Sequence, residues 1–151
     1  MSDNRALFIE ETITGAVKRL LTERVNELLG EMQFVIPLVE FVNYVGGMVV
    51  CPVIALSSCE RMEKERIICL DAYSLTLTFD VPETADSESH CYAYSAAVGK
   101  ALAENPTLGG VVDRVSISGK KYVPPKNANC GQEWQVIITL RLTVEGYAYV
   151  S

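Results

Sequence analysis

The clearest pattern in the chain is the stretch Tyr73-Ser74-Leu75-Thr76-Leu77-Thr78-Phe79-Asp80-Val81, in which apolar and polar residues alternate without a break. Successive side chains of an extended strand project to opposite sides. The alternation therefore predicts a strand with Tyr73, Leu75, Leu77, Phe79 and Val81 on a buried face and Ser74, Thr76, Thr78 and Asp80 on a wet one. A helix would scatter the same five large residues around its cylinder and bury none of them well. Trp134 to Val144 alternates in the same way and predicts the last strand. Val111 to Ser118 is a shorter candidate, with Val115 and Ile117 on a shared face. Val49 to Ser57 reads as a buried strand in which Pro52 calls for an edge position or a bulge.

Two segments carry helical spacing instead. From about Asp3 to Leu29, Ile9, Ile13, Ala16, Val17, Leu20, Leu21, Val25, Leu28 and Leu29 recur at steps of three and four and form one apolar stripe. Asp3 or Asn4 can cap its start, and Gly30 is placed to end it in a left-handed conformation. Gly15 inside the helix predicts close packing. Ser87 to Glu104 is the second helix, with Cys91, Tyr94, Val98, Ala101 and Leu102 along one face. Asp86 and Glu88 suit the positive end of its dipole, and Asn105-Pro106 stops it. Alanines at 93, 96, 97, 101 and 103 make it slim enough to lie close on its neighbours.

The connections are less regular. Met32 to Gly47 is an apolar segment in which Phe34-Val35-Ile36 has strand character but Pro37 removes a ladder donor. It packs inside its own domain or folds over a neighbouring subunit. Cys59 to Arg66 is mixed in charge and reads as exposed helical turns or a polar hairpin loop. Gly109-Gly110 marks a turn, and Gly119 to Gly131 reads as a long basic loop at the tip of a second hairpin. The elements run helix, strand, strand, helix, strand, strand. This predicts one α+β domain over 1–151, with a four-stranded, largely antiparallel or mixed sheet and two helices packed on it.

Composition narrows the classes. At 151 residues, 49% of them hydrophobic, the chain can bury a sizeable core. A mean hydropathy of +0.19 is high for a lone soluble monomer and leaves apolar surface for a subunit interface. The longest apolar run, Met48 to Leu56, falls well short of the ~20 residues a membrane-crossing helix needs. The start, Met1-Ser2-Asp3-Asn4, lacks the basic and apolar regions of a secretion signal. The 5 cysteines, without a CxxC pair, are accordingly expected to stay reduced. A net charge of −6 argues against gripping nucleic acid, because an acidic chain releases no phosphate counterions.

No constellation for catalysis stands out. GxSxG, GxxxxGK and GxGxxG are all absent. Ser118-Gly119-Lys120 lacks the upstream glycine and the following helix of a phosphate loop. His90 and Cys91 are helical neighbours about 100° apart and cannot bond each other as a nucleophile pair, and the paired spacings of zinc sites are missing. The expectation is no enzyme, no metal and no cofactor. The residues singled out for protein contact are Phe41 and Tyr44 in the irregular segment, and Lys120, Lys121, Tyr122 and Lys126 in the basic loop, whose plainer reading is a solvated hairpin tip.

The order of these features carries a resemblance. A long first helix precedes Cys51-Pro52-Val53-Ile54-Ala55-Leu56, then a strand ending Phe79-Asp80-Val81, a helix, the stretch Asn105-Pro106-Thr107-Leu108-Gly109-Gly110-Val111-Val112, and a closing hairpin. From about residue 8 to 145 this resembles the tail terminator (tail completion, minor tail) proteins of long-tailed bacteriophages and prophages. The resemblance implies an α+β subunit that assembles into a homohexameric ring in the virion, after synthesis in the host bacterial cytoplasm. Such a ring caps the tail tube, ends its polymerisation, meets a head–tail connector protein and lets DNA pass without specific binding. It brings no catalytic residues. A head–tail connector or neck protein, or a module binding a small molecule or peptide in a helix–sheet groove, are the alternatives.

Overall fold

The computed structural model describes residues 9–33, 35–41, 49–63, 68–82, 86–125 and 133–147. The first helical segment has three parts: α1 (Ile9–Leu20), a π-helical turn (Leu21–Val25) and α2 (Asn26–Gly30). Its most deeply buried residues are Ile13, Val17, Leu21, Val25 and Leu29, one every fourth position. An α-helix turns once in 3.6 residues, so a strict four-residue stripe creeps around it by about 40° per step. The wider π turn takes up that creep and keeps the stripe on the sheet.

Four strands form the main sheet: β3 (Val53–Glu63), β4 (Ile68–Val81), β5 (Arg114–Val123) and β6 (Trp134–Tyr147), in spatial order β3-β4-β6-β5 with every pair antiparallel. The alternation read from the sequence becomes register: Leu75 lies opposite Leu140, Leu77 opposite Ile138 and Phe79 opposite Val136. Those side chains are buried in a single cluster with the stripe of the first helical segment and with Cys91, Tyr94, Val98, Ala101 and Leu102 of α3 (Ser87–Glu104). Tyr94 stacks on Phe79 with ring centroids 5.2 Å apart. Each large core side chain contributes roughly 1.5–3 kcal/mol by leaving water. Among the described residues no buried side-chain polar atom lacks a hydrogen bond, and no helix is long and apolar enough to cross a membrane.

The element order differs from expectation in one place. Two further strands, β1 (Leu38–Val39) and β2 (Val49–Val50), pair parallel with each other outside the main sheet. The short strand thus begins beyond Pro37 and not at Val35-Ile36, because the proline cannot donate to a ladder, while Phe34 lies outside the described residues. Pro52 ends β2 and separates it from β3, an edge strand, with its bulge further along, between Leu56 and Ser58.

Other boundaries also move. The charged run after Cys59 continues β3 as far as Glu63, since pairing with β4 satisfies its backbone and Arg61 meets Asp71 in a two-pronged bond of 2.7 and 2.9 Å. β5 likewise continues through Lys120, Lys121 and Tyr122 to Val123, where a loop was expected, after a bulge between Ile117 and Gly119. Gly30 is not left-handed: the helix ends at Glu31 with φ −85°. A Cβ on Gly15 would meet nothing within 4 Å, so close packing does not explain that glycine.

Candidate protein-contact site

Three of the six singled-out residues share a strand. Lys120 and Lys121 are exposed near the end of β5, and Tyr122 follows, half-buried against α3. The Tyr122 hydroxyl donates to Ser95 Oγ at 2.9 Å, and its ring meets Tyr92 edge-on at 5.4 Å. Tyr92, 51% exposed, donates in turn to Glu88 Oε1 at 3.1 Å. That bond holds the phenol protonated and pushes its pKa up. The result is a ledge of two aromatic rings with a carboxylate on one side, on the helix-covered side of the outer strand; Lys120 shares that face and Lys121 points to the other.

Tyr92, Glu88 and Ser95 escaped the sequence reading. The signal that could have found them is the i, i+4 pair Glu88–Tyr92 on the helix flank opposite the buried stripe. Phe41 lies elsewhere. It is half-buried against the core, with Lys18 Nζ 5.4 Å from its ring centroid, a cation–π contact with α1. Tyr44 and Lys126 lie outside the described residues. No described contact joins Phe41 to the Lys120–Tyr122 ledge.

The segment before Phe41 is held by polar side chains of both helices. Asn26 grips β1 from two sides: its Nδ2 donates to the Val39 carbonyl and its Oδ1 accepts from the Val39 amide, both at 2.8 Å. Tyr94 donates to the Pro37 carbonyl at 2.6 Å. His90 Nε2 lies 3.0 Å from the Val35 carbonyl, which can only accept, so this nitrogen carries the proton. The imidazole is therefore committed to the backbone of the 35–39 segment. Burial pushes the Cys91 thiol up to about 11, with Glu88 adding to the effect, and Cys91 is no activated nucleophile. Cys59 is raised as well, mainly by burial, in spite of its bond to Tyr73. No group of three or more His, Cys, Asp or Glu among the described residues is arranged to hold a metal ion.

The stretch that follows α3 is unusual in its backbone. Leu108, Gly109 and Gly110 all have positive φ, at 51°, 70° and 89°. Glycine adopts this region freely, whereas leucine does so only under constraint. Here the Leu108 side chain is buried in the core, its amide donates to the Asn105 carbonyl, and the Thr107 carbonyl accepts from both Gly110 and Val112. The turn also reaches β5, whose Val115 amide donates to the Pro106 carbonyl at 2.8 Å. A direct tie between the two helical segments lies remote from these places: Arg24, in the π turn, donates twice to Glu104 at the end of α3, at 2.7 and 3.0 Å.

Compared with known proteins, the chain matches no family model and shows no significant similarity to a curated protein.

Proposed function

We propose that this chain is a structural protein of the tail-terminator kind, which assembles with copies of itself into a ring, six-membered in that family, on the end of a phage tail tube. In this role it ends tube polymerisation at the head-proximal end of the tail and offers a surface to the head–tail connector. DNA passes the ring without being held. The observation that carries the proposal is the uneven covering of the sheet. Both helical segments lie on one face, and among the described residues the opposite face and the outer sides of β3 and β5 carry no further element.

That uncovered face is polar and balanced in charge: Ser74, Thr76, Thr78, Thr139 and Thr143 run along its middle strands, and Glu60, Asp80 and Glu145 are set against Arg114, Lys121 and Arg141. A surface that wets easily and whose basic groups are matched by acids has no net positive charge with which to hold phosphates, which suits a passage for DNA. The resemblance on the Asn105–Val112 turn supports the same reading.

The test is to mix the purified protein with a phage tail-tube protein and to follow tubes by electron microscopy and self-association by native mass spectrometry. Rings seated at tube ends, with tube growth arrested, are expected. A protein that stays monomeric at high concentration and leaves tube growth unchanged overturns the proposal. Binding to the portal side of the head in preference to the tube would favour a connector protein instead.

A further inference from the structure

The edges of the sheet identify how copies join. We infer that the outer side of β5 of one copy pairs with the outer side of β3 of the next, so that the antiparallel sheet runs on from subunit to subunit. This deepens the self-assembly reading and rests on it.

Direction is the first argument. The four strands alternate, so β3 and β5 run oppositely. A copy laid alongside in the same orientation presents its β3 antiparallel to the first copy's β5 and keeps all helices on one face. The two edges are also matched in length, with β5 ten and β3 eleven residues long.

Charge is the second. The first part of the β5 edge is occupied, because the Val115 amide is bonded to Pro106. The part from Ile117 to Val123 carries Lys120 and Lys121 and no acid. On β3, Arg61 is matched by Asp71 across the strand pair, while Glu60 is exposed on the other face. Pairing β5 with its own copy about a two-fold axis would set lysines against lysines, which is unfavourable between neighbouring strands. Pairing β5 with β3 sets Lys121 against Glu60 and, on the other face, brings Lys120 beside Arg61, whose charge Asp71 already neutralises.

Face and stagger are the third. Lys121 is level with Ile137, Thr78 and Val53 across the sheet, and Glu60 is level with Ala72. Thr78 and Ala72 point to the same side of β4, so Lys121 and Glu60 share the uncovered face. Bringing them together, directly opposite or on the diagonal that leaves the longer strand overlap, staggers successive copies by six or four residues, about 20 or 13 Å along the strands for about 19 Å across four of them. That corresponds to a strand tilt of about 35–45°, the range in which sheets close on themselves.

The test uses the full chain, in the variants E60K, K121E and the double variant E60K/K121E, with oligomeric state read by native mass spectrometry at physiological salt. Circular dichroism confirms that these surface variants fold. Each single reversal is expected to weaken self-association about five- to tenfold per interface. The double variant, and a one-to-one mixture of the two single variants, should restore it. A wild-type oligomer that the single reversals leave intact, or that the double reversal fails to rescue, overturns the β5–β3 pairing and leaves self-assembly standing. A wild-type chain that is monomeric at high concentration overturns both.

Discussion

The two faces of the four-stranded sheet are built from the same strands and nearly the same backbone, yet they do opposite work. Leu75, Leu77, Phe79, Val136, Ile138 and Leu140 are sealed under both helical segments, whereas Thr76, Thr78, Ile137 and Thr139, one residue away, stay partly open to water. Position along the chain therefore says little about a residue's energetic weight here, and parity says almost everything. The buried face determines whether the domain folds. The open face and its edges carry no further element among the described residues.

The comparison is sharpest at adjacent residues. Phe79→Ala should cost about 3–5 kcal/mol, because it empties a fully buried site and removes the ring on which Tyr94 stacks. Urea denaturation checks this; a loss below about 1 kcal/mol would break the assignment of faces. The next effect is alkaline. The Cys91 thiol is held neutral up to about pH 11, while an unfolded chain releases its proton near 9. The unfolded state then binds fewer protons, so stability holds below pH 9 and falls between pH 9 and about 11, by an amount on the order of 2 kcal/mol. Tyr94, raised by burial, adds to this limb. Stability curves at pH 8 and pH 10.5 should converge partly in Cys91→Ala.

Asn26→Ala tests whether polar pins match the apolar face in importance. It strips two bonds from the backbone of Val39, and about 1–3 kcal/mol is the expected loss. Hydrogen exchange at the Val39 amide should rise more than exchange in the sheet. The smallest effect belongs to the open face: Thr78→Ala should change stability by no more than about 0.5 kcal/mol. A larger loss in the isolated subunit would mean that this face is covered within a single copy.

Much of this architecture was legible because a strand with one dry face writes its period into the chain. The Tyr73–Val81 and Trp134–Val144 patterns named their buried residues, and Ser87–Glu104 showed both its stripe and its ends. The ledge on β5 was legible only in part. Lys120, Lys121 and Tyr122 stood out as a basic, aromatic group, but Gly119 and the prolines that follow read as a loop. Tyr92 and Ser95, which give that group its shape, sit on another element and carry no local signal that links them to it.

What the sequence by itself determined is the set of elements and the side of each that turns inward, since both follow from periodicity and from the cost of exposing apolar surface. Tertiary structure alone decided where strands end, which short strands pair and which side chains close the gaps between elements. β3 and β5 run past their apparent limits because a neighbouring strand satisfies their backbone, and β1 exists because Asn26, Tyr94 and His90 hold the 35–39 segment in place. Such bonds join residues distant along the chain, and their energies depend on geometry that no local pattern encodes.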